Sequence, residues 1–336
     1  MMLIALALAL LFATTNTGAS QIGTCFGMRA NNLQPLRAVV AQYNRHNIKR
    51  MRIYSPDSSL SQALSGSGIK LVLGVLNQDL QAIASSQSNA NSWVQHNIRR
   101  YPNVNFRYLA VGNEIRPNLN NGAAQYAPYV LPAMKNLQNA INQMGYRGRI
   151  KVSTAMEMGI AINTYPPSAG QFDTSISNYI NPIVSFMRDN GSPLLLNCYP
   201  YFAYAGSSNI ELSYALFTSP GTVVQDGQYA YQNLFDAMVD SIYSALEKAG
   251  CGSVAIVVSE SGWPTMGGKG TSIHNAKTYN NNLIQNVKKG TPKRPGAYLE
   301  TYIFDMYNED LKSSKLERHW GLFAANGHLK YPVNFN

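Results

Sequence analysis

Two glutamates stand where apolar, strand-like runs end: Ala110-Val111-Gly112-Asn113-Glu114 and Val257-Val258-Ser259-Glu260-Ser261-Gly262-Trp263-Pro264. If both runs finish at one rim of the molecule, the two carboxylates face a common cleft. Two opposed carboxylates are what cleavage of a glycosidic bond needs. One stays protonated and gives the leaving oxygen its proton, while the other, ionised, attacks or stabilises an oxocarbenium-like sugar. A rim glutamate can equally be a salt-bridge partner. Its recurrence at the ends of two separate runs, with Asn113 and Trp263 alongside, favours chemistry.

The elements that must carry these residues are legible as eight short runs rich in β-branched and apolar residues. They are residues 22–27, 49–55, 69–75, 105–113, 149–155, 193–200, 253–260 and 299–306. Several are apolar at successive positions, as strands buried on both faces of a parallel sheet should be. Between them lie helical patterns. Met134, Leu137, Ile141 and Met144 step by three and four before Gly145; Leu234, Met238, Ile242 and Leu246 step by four before Gly250; Ala276, Tyr279, Leu283 and Val287 repeat the spacing. Eight strands with helical crossovers predict a single (β/α)8 TIM barrel, whose active sites lie at the C-terminal ends of the strands. The fourth and seventh strands then carry Glu114 and Glu260 to opposite sides of one mouth. A doubly wound open sheet is the alternative, but no GxGxxG or GxxxxGK[ST] follows any strand.

Length and composition agree with one globular unit. The chain has 336 residues, 45% hydrophobic and 13% charged, with 21 tyrosines, which excludes disordered, coiled-coil and collagen-like chains. Its formal charge of +10 raises the question of an anionic partner. The basic patches, Lys49–Arg52 and Lys288–Arg294, fall in an expected strand and a surface loop with no nucleic-acid-binding module around them, and read as solvated. Cys25, Cys198 and Cys251 each lie in or beside an expected strand, without a CxxC or histidines at zinc-ligand spacing, so buried free thiols are expected. The apolar run Met1–Ala13, followed by small and polar residues, reads as a secretory signal peptide over residues 1–20, leaving the barrel domain at 21–336. The run is too short to cross a membrane.

With these residues in place, the sequence resembles the plant β-1,3-glucanases of glycoside hydrolase family 17, which include pathogenesis-related endoglucanases. The resemblance spans nearly all of residues 21–336. It is carried by GTCFGMRANNL, RMRIYSPD, VGNE, YPPSAG, NCYPY, VVSESGWP, ETYIFDMYNED and ERHWGLF, in the family's order and approximate spacing. It implies retaining endo-hydrolysis of β-1,3-glucans, with Glu114 as general acid/base, Glu260 as nucleophile and carboxyls about 5–5.5 Å apart. Asn113 matches a residue that holds the sugar 2-hydroxyl, and Tyr199 one that contacts the nucleophile. Tyr54, Tyr201 and Trp263 are expected to offer faces for sugar stacking, and Glu309, Lys312 and Glu317 to form a supporting polar cluster around the cleft.

Two positions depart from the usual pattern. Asp305 stands on the eighth strand where Ala is common, and Glu157 ends the fifth where uncharged residues are more frequent. Neither is expected to touch the two catalytic glutamates, but an extra rim carboxylate can shift the pKa of the acid or alter a sugar subsite, since like charges disfavour ionisation. The rival readings are a β-1,3-1,4-glucanase on the same scaffold and a catalytically silent glycan-binding barrel; the second would be free to lose either glutamate. No metal or organic cofactor, nucleic acid or membrane partner is expected, and the chain is expected to be a monomer. The leader, and a chain that stops soon after ERHWGLF, favour an extracellular or cell-wall location over the vacuole.

Overall fold

The computed structural model describes residues 21–336; the expected signal peptide lies outside the described residues. All eight expected strands form, as β1 (Ile22–Cys25), β2 (Arg50–Ile53), β3 (Lys70–Val75), β4 (Asn105–Asn113), β5 (Lys151–Glu157), β6 (Leu194–Asn197), β7 (Ile256–Ser261) and β8 (Thr301–Ile303). They are parallel, each pairs with its sequence neighbours, and β8 pairs with β1 to close the barrel. The open-sheet alternative is thereby excluded. The strands are short and almost wholly buried, which is why they read as continuous apolar runs.

The crossovers run through α1 (Leu36–Arg45), α2 (Ser58–Leu64), α3 (Leu80–Ser85), α4 (Gln87–Val94), α5 (Ala127–Gln143), α6 (Ser177–Asn190), α7 (Pro200–Gly206), α8 (Leu212–Ala215), α9 (Leu234–Lys248) and α10 (Ile273–Asn286). The three spaced patterns fall on α5, α9 and α10, whose apolar stripes pack on the barrel. Asn233 and Ser272 start α9 and α10 by accepting N–H bonds from Asp236 and Asn275 at 2.8 and 3.0 Å, which satisfies donors that a helix start leaves unpaired.

The eighth strand is shorter than the expected 299–306, and no helix follows it among the described residues. The segment after it instead packs between its neighbours. Asn280 of α10 donates to the Tyr331 hydroxyl at 2.8 Å, while Asn47, just beyond α1, and Lys288, just beyond α10, both bond Asn336. Three two-stranded ribbons, at residues 161–162 with 171–172, 224–226 with 229–231 and 290–291 with 294–295, also lay outside the sequence reading. The cysteines are free and buried, as expected.

Candidate active site

The two glutamates reach the rim through irregularities in their strands. Against β5, the register of β4 slips between Ala110 and Asn113. Gly112 there has φ +75° and Glu114 itself φ +52°, a left-handed conformation that costs a non-glycine residue about 1–2 kcal/mol and persists where surrounding bonds impose it. Those bonds are present: Glu114 N–H donates to the Ala155 carbonyl at 2.9 Å, and the Asn77 amide accepts from Asn113 N–H at 2.9 Å and donates to the Asn113 carbonyl at 3.2 Å. On β7 the register slips between Val258 and Glu260 against β6, and between Val258 and Ser261 against β8. Bulges of this kind re-aim a side chain beside a site.

The carboxyls arrive in different surroundings. Glu260 is 6% exposed, accepts from the Tyr54 hydroxyl at 2.9 Å and the Tyr199 hydroxyl at 2.6 Å, and forms an ion pair with Arg52, whose Nη1 lies 2.9 Å away. Burial, reinforced by nearby charge, pushes both phenols well up, so each stays a hydroxyl donor. Glu114 accepts from Asn197 Nδ2 at 2.8 Å. Burial, and then the charge of Glu260, push its carboxyl up to about 7, against the opposing Asn197 bond and the Arg52 charge. One carboxyl is therefore poised to hold a proton near neutrality, and the other is surrounded by groups that donate to it.

Arg52 and Asn197 tie the pair together, and neither was expected at the site; the reading of Lys49–Arg52 as a solvated patch is corrected, since Arg50 and Arg52 are buried in the barrel. Arg52 Nη1 donates to Asn197 Oδ1 at 2.8 Å and to the Ser259 carbonyl at 2.9 Å, and its Nη2 donates to Asn113 Oδ1 at 2.7 Å. Asn197 Nδ2 also reaches Asn113 Oδ1 at 3.2 Å. An arginine on β2 that touches residues of β4, β6 and β7 must cross the barrel lumen. The available signal was the charge at Arg50 and Arg52, alternate positions of a strand that is otherwise apolar.

Residues 22–335 match the family glycosyl hydrolases family 17. The chain belongs to that family. This family 17 hydrolase is 52% identical over 329 residues to a glucan endo-1,3-beta-glucosidase of Vitis vinifera, a match covering 97% of the chain and 95% of the relative. It is 48% identical over 320 residues to a relative from Nicotiana tabacum, named glucan endo-1,3-beta-glucosidase, basic vacuolar isoform; that match covers 95% of the chain and 86% of the relative. Among solved structures, a beta-1,3-glucanase and allergen of Cryptomeria japonica pollen superposes with a TM-score of 0.91 at 45% identity, over 94% of this chain and 99% of that one.

The cleft of the hydrolase, about 500 Å³, is lined by eight of the ten residues expected at the site: Tyr54, Asn113, Glu114, Tyr199, Glu260, Glu309, Lys312 and Glu317. Glu309 accepts from Arg29 N–H at 2.9 Å and lies 3.5 Å from Lys312 Nζ, so the polar cluster braces one flank of the cleft. The stacking expectation for Tyr201 and Trp263 is corrected. They are 1% and 0% exposed, their rings 5.0 Å apart edge to face, and Trp263 Nε1 donates inward to the Gly270 carbonyl at 2.9 Å. Tyr204 and Tyr279 pack on Trp263 as well, which leaves no ring face for a sugar. The aromatics that do line the cleft include Phe202, Phe304 and Trp320, which sequence reasoning missed. Near a rim, sequence does not distinguish an aromatic turned to the cleft from one turned to the core.

The two departures also find places. Asp305 is 1% exposed, and its carboxyl accepts from Gly27 N–H and from Met306 N–H, the latter at 2.6 Å. Burial and the neighbouring Glu309 push it well above the usual carboxylate range. Glu157 pairs with Arg116 at 2.9 Å, and its charge still adds a small upward push to Glu114. Among the described residues no group of three or more His, Cys, Asp or Glu is disposed to hold a metal ion, and no helix is long and apolar enough to cross a membrane.

Proposed function

We propose that this hydrolase cleaves internal β-1,3-glucosidic linkages of β-1,3-glucans, such as callose, fungal wall glucan and laminarin, with retention at the anomeric carbon. Glu260 attacks that carbon as Glu114 gives its proton to the departing glycosidic oxygen, forming a glycosyl ester on Glu260. Glu114, now ionised, takes a proton from water; the resulting hydroxide displaces Glu260 and completes the sugar. The observation that carries this reading is the unlike surroundings of the two carboxyls. The names of the relatives support the substrate. Asn113 fits a hold on the 2-hydroxyl, because its Oδ1 already accepts from Arg52 and Asn197, leaving Nδ2 to donate to the sugar. Tyr54 and Tyr199 position Glu260, and Glu309, Lys312 and Glu317 bind hydroxyls along the flank. Export directed by the leader and a monomeric state belong to the same proposal.

Reducing-end release from soluble linear β-1,3-glucan tests it, with Glu260→Gln beside the intact protein and a mixed-linkage glucan as second substrate. Hydrolysis of the first substrate that vanishes in the variant, with a ladder of early oligosaccharides of the β configuration, is expected. Glucose alone as the early product rejects endo action, and α products reject retention. Preference for the mixed-linkage glucan moves the assignment to a β-1,3-1,4-glucanase. No release from either glucan leaves a silent glycan-binding barrel.

A further inference from the structure

The opposite mouth of the barrel holds a second cavity, of about 400 Å³, built where the strands begin. Arg107 enters it from β4, Lys151 from the first residue of β5, Arg149 from the loop just before, Arg188 from α6, Ser192 from the turn into β6 and Tyr298 from the approach to β8. One carboxylate, Glu300, faces these cations and is already saturated. Its Oε1 accepts from Arg50 Nη1 at 3.1 Å and from the Tyr302 hydroxyl at 2.9 Å, and its Oε2 from Arg107 Nη2 at 2.8 Å and from the Tyr108 hydroxyl at 3.2 Å. Glu300 has no acceptor left for Arg149, Lys151 or Arg188.

Those three cations are only lightly engaged. Lys151 Nζ makes one bond, to the Asn190 carbonyl at 3.1 Å, and an ammonium carries three donors. Arg188 shares Nε with exposed Asp189 at 2.9 Å and reaches the Gly250 carbonyl at 3.5 Å, and Arg149 lies over the Tyr146 ring at 5.5 Å. Between them are two hydroxyls without a partner: Ser192 Oγ, on a residue 2% exposed, and the Tyr298 phenol. A buried polar group left unbonded costs about 1–3 kcal/mol and calls for an explanation. A ligand that accepts from hydroxyls and cations together supplies one.

We propose that the N-terminal mouth of the barrel is a second, non-catalytic site that binds an oxoanion, either the carboxylate of a uronic-acid residue or free phosphate. Forked guanidinium groups suit both geometries, and a ligand of this charge is what three lightly engaged cations around two free hydroxyls select. The site lies across the barrel from Glu114 and Glu260, so its occupancy leaves the cleft untouched.

Calorimetric titration of the full protein at low ionic strength tests the proposal, with inorganic phosphate and trigalacturonate as separate probes and galactose as the neutral control. Saturable binding of at least one anion is expected, weakened about tenfold, the scale of one lost charge-assisted hydrogen bond, by Arg149→Gln and by Ser192→Ala. Hydrolysis of linear β-1,3-glucan by both variants is expected to be unchanged. Binding of phosphate but not trigalacturonate identifies a free-anion site; binding of both, or of trigalacturonate alone, identifies a site for acidic glycan. Lys135→Gln, at an exposed lysine outside the cavity, separates a built site from the overall charge of +10. The proposal is overturned if neither anion binds saturably, if Lys135→Gln weakens binding as much as Arg149→Gln, or if the exposed Arg149 can be replaced without effect.

Discussion

Glu114 is the residue on which the pH behaviour of the hydrolase turns. Its carboxyl titrates at about 7 in the folded protein against an ordinary 4.5, and as the acid it must be protonated when substrate binds. We therefore expect kcat/KM to fall as pH rises through about 7, approaching tenfold per unit above it. Since the charge of Glu260 contributes to the shift, Glu260→Gln should bring the Glu114 titration down, readable by carbon NMR of the labelled carboxyl; an unmoved titration would show that burial acts alone. The same shift bears on stability. A carboxyl whose folded pKa is raised favours the native state at low pH, and that contribution is lost between about 4.5 and 7, amounting to about 3 kcal/mol. The acid is thus kept ready at a cost to the fold.

At the scale of elements, two strand ends do the positioning. A side chain at Gly112 would combine a φ of +75° with a Cβ 2.6 Å from Ile115 Cδ1, so Gly112→Ala is disfavoured by backbone and packing together. It should lower stability by about 1–2 kcal/mol and, by displacing Asn113 and Glu114, cut kcat roughly 100-fold. Thermal unfolding beside steady-state kinetics separates the two effects; a lowered Tm with kcat intact would show that the turn does not aim the acid. The strands carrying these turns were legible because burial on both faces leaves uninterrupted apolar runs, and both glutamates followed from their ends. The bulges were not, since a slipped register depends on the partner strand. Arg52 and Asn197 were hidden for a related reason: they sit inside strand motifs, and only closure of the barrel shows that one side chain spans the lumen. Tyr201 and Trp263 were misplaced because stacking and packing ask for the same residue type.

The whole molecule divides its work between the two ends of one barrel. The C-terminal mouth spends burial on a reactive pair, while the other end is clamped by Glu300 and its two arginines, Arg50 and Arg107. Glu300→Gln leaves both guanidinium groups without their counter-charge, and breaking such a buried pair typically costs about 3–5 kcal/mol. Urea unfolding should show that loss, while activity per folded molecule in dilute buffer stays at the wild-type level; a loss of turnover in the folded variant would mean that the two ends communicate. The buried thiols add a property of a different kind. Cys25 lies on β1 with its Sγ donating to the Ser259 carbonyl at 3.4 Å, next to Glu260, and burial pushes its pKa well up. A thiol-specific reagent in solvent meets nothing reactive until the barrel parts beside β1, along its seams with β8 and β2. The rate at which an unaltered sample takes up such a reagent at Cys25 is therefore a clock for spontaneous breathing of the catalytic wall, built into the chain without any added label.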